Sequence, residues 1–337
     1  MTTPNNNLDL LETNELSKNA NGGTEQQLQR LYDGKIPREL IQEFQIIPTR
    51  LREIKEDKYR FYYCHDLPQD PEVQHLANGG WRKFTRLIFV SNWQAQQFMA
   101  QFEIPWSRCV VMLNAIMPIP RVYLNEEHVN DTIRLIYHTT PHRGLNILLP
   151  VFDKLCETHK NIHLDVYSSF GLYGWKERDE QFQALFDYAN EHKHITNHGA
   201  VSSEEVRSAL GSAHIFAYPS VWAETSCLCL MEAMSAGLNC VHPNYGALYE
   251  TAANWTSMYH WHENPNDHAR MHYVMLDNAI KSVSNENMQS RLASQKVYTD
   301  AFYNWENRAM QWKALMQSIV DAKEDRSFLE EEFVYAA

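Results

Sequence analysis

The stretch Tyr218–Glu250, which reads YPSVWAETSCLCLMEAMSAGLNCVHPNYGALYE, decides the fold that the sequence predicts. A strand-like run ends at Pro219, a helix of small residues ends at Gly237, and a new apolar run follows over Leu238–Val241. This alternation predicts a strand, a loop, a helix and a second strand of one parallel sheet. The carboxyl edge of such a sheet is where α/β proteins bind nucleotides.

Two glutamates in this stretch, Glu224 and Glu232, stand eight positions apart. Glu224 lies just before the helix, where a phosphate would repel its carboxylate, so we expect it to face sugar hydroxyls. Glu232 lies about 9 Å further along the helix axis, at about 1.5 Å per residue, and that distance suits a ribose diol. On spacing alone, two exposed glutamates in an ordinary strand–helix–strand unit explain the pattern equally well.

The start of this helix is a second candidate ligand contact. We expect Thr225 and Ser226 to cap a helix that begins near Cys227, with Leu228 in its first turn. The first turn of a helix has free backbone N–H groups and a partial positive charge, and both features suit a diphosphate. These four residues are therefore candidate contacts of a nucleotide.

A third candidate contact follows the strand predicted at Ile133–Tyr137, in the loop HTTPHRG over residues 138–144. The guanidinium of Arg143 offers a planar fork that binds phosphate oxygens in a bidentate manner. Thr139 and Thr140 add hydroxyl groups to the same loop. An arginine before a helix is more often simply solvated, so this loop alone is a weak indication of a phosphate site.

Together these residues resemble the E-x7-E signature of GT-B glycosyltransferases, close to glycosyltransferase family 4. Glu224 and Glu232 take the two glutamate positions, and Pro219, Gly237 and the run NYGALYE also match. The run TTPHRGL is similar to a variant of bacterial and viral relatives that have a short N-terminal domain. The resemblance implies an α/β, GT-B fold, with two Rossmann-like parallel-sheet domains facing a central cleft and a C-terminal helix packing back on the first domain.

The resemblance also implies roles for single residues. The first glutamate, Glu224, is expected to contact the donor sugar, the second glutamate the ribose, and Arg143 the diphosphate. The backbone near Val201 is expected to hold the base. In the first domain, His65 resembles a residue near the reaction centre, and Gly23 lies in a run GGTE that brings backbone close to a phosphate or acceptor. We therefore expect Glu224, Arg143 and His65 to be catalytic, although paired glycines and loop histidines are often only structural.

Four parts are predicted along the chain. Residues 1–20 are a flexible N-terminal arm, 21–120 a short acceptor-side Rossmann-like domain, 121–300 the Rossmann-like domain that binds the nucleotide sugar, and 301–337 a C-terminal helix and tail. In the first domain, Tyr59–Cys64 is predicted as a strand and Asn92–Phe102 as a helix capped by Ser91. In the tail, a helix is predicted over Phe302–Val320, with an apolar stripe of Trp305, Trp312, Leu315 or Met316, and Ile319.

Composition excludes several classes of function. The chain has 337 residues and a net charge of −12 without a basic stripe, so we expect no nucleic-acid partner. No apolar run reaches the ~18 residues of a transmembrane helix, and the polar start does not resemble a secretory signal. The six cysteines lack zinc spacing and are interpreted as reduced thiols of a cytosolic protein. The sixteen histidines are scattered, so we expect no metal site.

The sequence thus predicts a cytoplasmic glycosyltransferase, peripheral to a membrane if its acceptor is lipid-linked. By resemblance it moves a sugar from a nucleotide-diphosphate sugar to a glycan, lipid-linked saccharide or protein, with retention, without a metal ion and without a cofactor. Two alternatives remain open at this point. One is a non-catalytic module that binds nucleotide sugars, and the other is a GT-B epimerase that acts on a nucleotide sugar.

Overall fold

The structure of the protein is a computed structural model that describes residues 7–10, 22–121, 132–324 and 326. These residues form two compact units. Unit 1 contains residues 7–10, Gly23–Ala115 and the described chain from Trp305 onward, and unit 2 contains Gly22 and the described residues of Ile116–Asn304. The acceptor-side and donor-side roles of the predicted domains remain predictions.

Both units contain strands and helices. The strands are β1 (Phe44–Pro48), β2 (Tyr59–Cys64), β3 (Arg86–Phe89), β4 (Cys109–Val111), β5 (Ile133–Tyr137), β6 (Ile162–Val166), β7 (Ile195–Asn197), β8 (Ile215–Ala217), β9 (Asn239–Pro243) and β10 (Ser257–Tyr259). The α-helices are α1 (Gly23–Leu31), α2 (Arg38–Ile41), α3 (Asn92–Phe102), α4 (Leu145–Thr158), α5 (Gln183–Glu191), α6 (Ser203–Ser212), α7 (Leu228–Ser235), α8 (Leu248–Ala252), α9 (Pro265–Lys281), α10 (Glu286–Phe302) and α11 (Trp305–Asp321).

Unit 1 is built on a parallel sheet of four strands in the order β1-β2-β3-β4. All residues of the inner strand β2 are buried, which suits its run of aromatic side chains. The predictions of a strand at Tyr59–Cys64 and of a helix at Asn92–Phe102 are confirmed. The hydroxyl of Ser91 accepts a hydrogen bond from the backbone N–H of Gln94, so the predicted cap of α3 is confirmed as well.

The predicted N-terminal arm, residues 1–20, lies outside the described residues except for positions 7–10. Asn7 is buried in unit 1, where its side-chain amide donates a hydrogen bond to the carbonyl oxygen of Ile36 at 3.0 Å. The backbone N–H of Asn7 also donates to the carbonyl of Tyr32. This short segment is therefore held against the first helices of unit 1.

The C-terminal helix α11 packs back on the sheet of unit 1, as expected. The ring of Trp312 lies 5.1 Å from the ring of Tyr63 and 6.1 Å from that of Phe61, both on β2. Met316 is fully buried and belongs to the apolar stripe, whereas Leu315 is only half-buried. Of the two residues that the sequence left open, Met316 is therefore the one that belongs to the stripe.

Two predicted boundaries are wrong, each for a local reason. The tail helix begins at Trp305 rather than Phe302, because Phe302 is the last residue of α10 and a short break follows. The strand after Gly237 begins at Asn239 rather than Leu238. There the N–H of Leu238 donates to the carbonyl of Ala233 and completes the end of α7, with Gly237 at a φ of 75°.

Unit 2 is built on a parallel sheet of six strands in the order β10-β9-β8-β5-β6-β7. The chain moves outward from β5 through β6 to β7 and then returns to place β8 on the other side of β5. The strand order therefore reverses between β5 and β8, and a crevice opens at the carboxyl ends of such a pair. This crevice is the place where an open α/β sheet binds its ligand.

No helix in the described ranges is long and apolar enough to cross a membrane. All six cysteines are free thiols, and four of them are buried: Cys64, Cys109, Cys227 and Cys240.

Candidate active site

The loops that follow β5 and β8 meet at the point where the strand order reverses. The two strands pair in parallel, with Leu135 opposite Ile215 and Ile136 opposite Phe216. Parallel neighbours deliver their next residues to the same edge of the sheet. Arg143, in the loop after β5, and Glu224, in the loop after β8, therefore arrive at one place although they lie far apart in sequence.

The loop after β5 has a fixed backbone. Pro141–Arg143 form a single 3₁₀ turn, and Gly144 follows it at a φ of 120°, a conformation that favours glycine. The hydroxyl of Tyr137 donates a hydrogen bond to the carbonyl of Thr140 at 2.8 Å and ties the loop to its own strand. Thr139 and Thr140 are both buried in this loop. The turn therefore presents Arg143 from a defined position.

Arg143 and Glu224 form an ion pair across the crevice. The Glu224 side chain is buried, and its Oε1 also accepts a hydrogen bond from the hydroxyl of Tyr218 at 2.5 Å. Burial opposes the charge of Arg143, but the facing Glu224 carboxylate raises the pKa of the guanidinium well above its ordinary value. Burial, followed by the charge of Glu224, raises the pKa of Tyr218 well above its ordinary value. The phenol therefore stays protonated and keeps donating to the carboxylate.

The predicted contact of Glu224 with sugar hydroxyls stays a prediction, and the structure adds its pairing with Arg143. The backbone of Glu224 is bridged to Gly246, and the N–H of Ala247 donates to the carbonyl of Glu224 at 2.7 Å. A Cβ on Gly246 would lie 2.6 Å from the backbone N and O of Glu224. Only glycine permits this approach, which fixes the carboxylate beside Arg143.

The helix after this loop, α7, begins at Leu228 with Cys227 as its N-cap. The Cys227 sulfur accepts a hydrogen bond from a backbone N–H of the first turn at 3.4 Å. The prediction that Thr225 and Ser226 cap the helix is wrong, because the chain is still in the irregular loop at both positions. The predicted contact of all four residues with a diphosphate stays a prediction.

Glu232 lies on α7 and is half-buried. One carboxylate oxygen lies 3.9 Å from the guanidinium of Arg207 on α6, which is the outer limit of an ion pair. The same guanidinium donates hydrogen bonds to the carbonyl oxygens of Met117 and Pro118 at 3.1 and 3.0 Å. The backbone carbonyls thus hold Arg207 more closely than Glu232 does.

Val201 follows β7, at the end of the sheet opposite to β10. The nearby Gly199 has a φ of 66°, and a Cβ built there would meet open space. The rings of Tyr167 and His198 stack beside this loop with centroids 4.1 Å apart and planes within 2°. The loop after β7 therefore has an open backbone next to an aromatic pair, and its predicted contact with a base stays a prediction.

Several buried polar atoms at this edge of the sheet have no hydrogen-bond partner within the described residues. They lie in the loops after β5, β6 and β8: Thr140 Oγ1, His142 Nδ1, Arg143 Nε, Ser168 Oγ and Ser226 Oγ. Buried polar atoms are nearly always paired in folded proteins, because an unpaired atom costs about 1–3 kcal/mol. A ligand with many hydrogen-bonding oxygens would satisfy such a set.

Three side chains of this region were missed by reasoning from the sequence. They are Tyr218, which binds Glu224, and the pair His142 and Trp222, whose rings meet edge-on at 5.2 Å. Desolvation and the nearby cations Arg143 and Arg178 lower the pKa of His142 to about 4, so its ring is neutral at pH 7. The only sequence signal was chemical: a buried tyrosine needs a partner for its hydroxyl.

The two predicted site residues of the first domain belong to unit 1. Gly23 is the first residue of α1. His65 directly follows β2, its backbone N–H donates to the hydroxyl of Thr49 at 3.3 Å, and its ring meets that of Tyr63 at 4.3 Å. Desolvation lowers the pKa of His65 to about 3, so the imidazole is neutral at pH 7. The expected roles of both residues stay predictions.

Within the described ranges, no group of three or more His, Cys, Asp or Glu side chains is arranged to hold a metal ion. The groups at the crevice that can face an anion are instead the guanidinium of Arg143 and the start of α7.

Comparison with known proteins gives one family and many solved structures. Residues 128–292 match the family described as "Glycosyl transferases group 1", and this range contains Arg143, Glu224 and Glu232. No curated protein matches the chain. A glycosyltransferase from Rickettsia africae ESF-5 is similar in structure, with a TM-score of 0.64 and 15% identity, over 92% of this chain and 84% of that one.

Two further solved structures were determined with nucleotides. Anabaena Alr3699/HepE in complex with UDP-glucose has a TM-score of 0.57 and 12% identity, over 77% of this chain and 72% of that one. The pneumococcal O-GlcNAc transferase GtfA in complex with UDP and GlcNAc has a TM-score of 0.59 and 12% identity, over 79% of this chain and 53% of that one. The protein therefore has the α/β, GT-B fold, and its residues 128–292 are similar to the family described as "Glycosyl transferases group 1".

Proposed function

We propose that this protein transfers a sugar from a nucleotide-diphosphate sugar to a glycan or glycoconjugate acceptor, with retention of configuration and without a metal ion. One observation carries the proposal. A permanently charged arginine and a buried glutamate are paired at the crevice of a parallel sheet, among buried polar atoms that have no partner in the part of the chain that the structure describes. This arrangement suits a ligand that carries both an anion and hydroxyl groups.

The diphosphate of the sugar donor takes the place of Glu224 on the guanidinium of Arg143. Either group can bind there, because a carboxylate and a phosphate both accept two hydrogen bonds from a guanidinium. Thr139, Thr140 and the backbone N–H groups at Ser226, Cys227 and Leu228 add hydrogen bonds to the phosphate oxygens. As the sugar departs, negative charge grows on the diphosphate, and Arg143 stabilises that charge more strongly than it stabilises the bound substrate.

The exchange releases the carboxylate of Glu224 toward the hydroxyls of the transferred sugar. Tyr218 keeps its hydrogen bond to that carboxylate and so holds it in place during the exchange. Glu232 binds the ribose, and the backbone at Val201 binds the base. For unit 1, the family resemblance assigns His65 a role near the reacting carbon and the backbone at Gly23 a contact with a phosphate or the acceptor.

Stereochemical retention and metal independence follow from the resemblance of the two glutamates and Arg143 to the family pattern. Anabaena HepE and pneumococcal GtfA were solved with uridine nucleotides, which makes uridine diphosphate sugars the first compounds to test here. Catalysis then consists of positioning and charge stabilisation, with no covalent bond to the protein.

The test is a thermal-shift series on the full chain with UDP, UDP-glucose, UDP-N-acetylglucosamine and GDP-mannose, each with and without EDTA. A ligand at about 100 times its Kd stabilises the folded state by about 2.7 kcal/mol. Release of free sugar or transfer to added glycans is then measured with the compound that binds. We expect binding and turnover that EDTA leaves unchanged. Binding without any hydrolysis or transfer would indicate a non-catalytic module, and an absolute need for Mg²⁺ or Mn²⁺ would contradict the role of Arg143.

A further inference from the structure

A tryptophan is exposed beside the ion pair. Trp222 lies two residues before Glu224 and is 41% exposed, although the loop around it is largely packed. The adjacent Val221 is 40% exposed. The two side chains form one exposed apolar surface next to the ligand crevice, and an apolar surface in that place indicates a binding site for a ligand with an apolar face.

The ring of Trp222 is held in one orientation by its neighbours. The hydroxyl of Ser220 accepts a hydrogen bond from the backbone N–H of Trp222 at 3.2 Å and donates one to its carbonyl at 3.0 Å. The His142 ring meets the indole edge-on at 5.2 Å, and the guanidinium of Arg143 lies 5.8 Å from the ring centre. A ring that is already ordered loses little conformational entropy when a ligand binds to it.

A second aromatic surface lies in the next loops of the same edge. Tyr245, after β9, and Trp261, after β10, stack with centroids 4.2 Å apart and planes within 7°. Tyr245 directly precedes Gly246, which is bridged to Glu224, so this pair is tied to the same loop as Trp222. The indole N–H of Trp261 is buried and has no partner within the described residues. The pair thus combines an aromatic body with a free hydrogen-bond donor.

The order of the strands sets the order in which the predicted ligand contacts lie along the edge of the sheet. The sheet runs β7-β6-β5-β8-β9-β10, with the predicted base contact after β7, the phosphate contact after β5 and the sugar contact after β8. This assignment rests on the proposed function. A group bound beyond the transferred sugar therefore lies over the loops after β8, β9 and β10, where Trp222, Tyr245 and Trp261 are found.

We propose that Trp222, with the stacked pair Tyr245 and Trp261, forms a subsite for a sugar ring of a saccharide acceptor. A pyranose has one face of C–H groups that packs on an aromatic ring, and an edge of hydroxyls that binds polar groups. Trp222 supplies the flat ring, and the Trp261 N–H supplies a donor for a hydroxyl. Unit 2 then contributes to acceptor recognition through the sugar of the acceptor, in addition to the acceptor role predicted for residues 21–120.

The experiment is saturation-transfer-difference NMR on the full chain with methyl glycosides of glucose, galactose, mannose and N-acetylglucosamine, and with maltotriose. We compare wild type, Trp222→Ala, Trp222→Phe, Trp261→Phe and the control Trp106→Ala. Trp106 is a matched control because it is an exposed tryptophan of unit 1, away from these loops in sequence. The Kd of the nucleotide found in the thermal-shift series is measured on the same samples.

We expect at least one probe to receive saturation on its ring C–H protons in wild type. Trp222→Ala weakens that binding about tenfold, Trp222→Phe largely restores it, and Trp106→Ala leaves it unchanged. Nucleotide affinity falls much less than probe affinity in Trp222→Ala, which separates the sugar subsite from the nucleotide site. If no nucleotide binds wild type but Trp222 still governs binding of the probes, the subsite stands while the proposed function fails.

Three results would overturn the subsite. The first is the absence of a response to every probe in folded wild-type protein. The second is equal loss in Trp222→Ala and Trp106→Ala. The third is loss of nucleotide affinity in Trp222→Ala with sugar probes unaffected, which would make Trp222 a support for Arg143 or a base contact instead.

Discussion

Gly144 lies against the backbone of Pro219 so closely that a Cβ on Gly144 would stand 2.1 Å from the Pro219 carbonyl oxygen. The contact joins the loop after β5 to the loop after β8, and so it joins the segment of Arg143 to that of Glu224. Gly144 also has a φ of 120°, which side-chain-bearing residues rarely adopt. Two independent constraints therefore require glycine at this position.

Gly144→Ala should destabilise the protein far more than Gly199→Ala. Both positions have positive φ, but a Cβ at Gly199 meets open space. We expect roughly 1 kcal/mol for Gly199→Ala from backbone strain alone. For Gly144→Ala we expect a further loss of about 2 kcal/mol, because the loops must separate. Urea unfolding of both variants checks this, and equal losses would show that the close contact with Pro219 has no energetic weight.

Arg143→Met should lose both stability and nucleotide binding, for separable reasons. The free energy of unfolding falls by roughly 1–3 kcal/mol, because Glu224 is left buried without its cation. The double variant Arg143→Met/Glu224→Gln should regain most of that stability without regaining affinity for a nucleoside diphosphate. Arg143→Lys should restore affinity in part, since it returns the charge but not the fork. Recovery of binding in the double variant would remove Arg143 from the phosphate site.

Glu232→Gln and Glu224→Gln should affect different parts of the substrate. Loss of a charged hydrogen bond to the ribose weakens binding of the bare nucleoside diphosphate by about tenfold or more in Glu232→Gln. Glu224→Gln should keep or raise that affinity, because the carboxylate that competes for Arg143 is gone, and it should lower turnover of the nucleotide sugar. Calorimetric titration with UDP and a sugar-release assay distinguish the two. If both variants lose UDP affinity and sugar release to the same extent, the assignment of Glu232 to the ribose and of Glu224 to the sugar is wrong.

Stability should fall as the pH is lowered from about 6.5 to about 4, in part because of His242. Burial lowers the pKa of His242 from 6.5 to about 4 in the folded protein, where its Nε2 lies 2.8 Å from the hydroxyl of Thr256. Between pH 6.5 and 4 the unfolded chain binds a proton that the folded protein does not, so the free energy of unfolding falls as the pH is lowered. The contribution of His242 to stability is fully present above pH 6.5.

His242→Asn should therefore reduce the slope of unfolding free energy against pH in this window by up to about 1.4 kcal/mol per pH unit. The exposed His260 gives a matched control, because His260→Asn removes a histidine from the same region without removing a buried one. Urea unfolding at half-unit steps of pH measures both slopes. An unchanged slope in His242→Asn would exclude this histidine as a source of acid sensitivity.

Met316→Ala should destabilise unit 1 by about 2–5 kcal/mol, because it leaves a cavity between α11 and the sheet. The neighbouring Leu315 is only half-buried, so Leu315→Ala should cost about 1 kcal/mol or less. Hydrogen exchange of the β2 amides reports on unit 1 directly. Similar losses of stability in the two variants would mean that the side of α11 that carries Met316 does not pack on the sheet.

The sequence predicted the elements because each carried a local pattern. The strand at Tyr59–Cys64 follows from four aromatic residues in a run of six, and the helix at Asn92–Phe102 from the serine that caps it. The same reasoning failed at Thr225 and Ser226. Their hydroxyls are good caps in isolation, but the bridge between Glu224 and Gly246 keeps the chain irregular up to Cys227. A contact from another loop thus overrode a local preference.

The site was predicted as a set of residues but not as an arrangement. Arg143 and Glu224 were each identified from chemistry and resemblance, yet their direct pairing depends on β8 lying next to β5, an order that no local pattern encodes. The same holds for Tyr218, which becomes part of the site only because its hydroxyl reaches Glu224. Strand order is a property of the whole sheet, and it decides which loops become neighbours.

The packing of α11 on β2 also bears on how the chain is made. Unit 1 draws one part from Gly23–Ala115 and its last helix from the chain that starts at Trp305, while Ile116–Asn304, nearly all of unit 2, is synthesised in between. At about 5–20 residues per second, a ribosome needs roughly ten to forty seconds for that interval. During this time the aromatic face around Phe61 and Tyr63 has no Trp312 to cover it. The nascent chain therefore completes Ile116–Asn304 before unit 1, and the Gly23–Ala115 segment keeps an uncovered aromatic face until α11 is made.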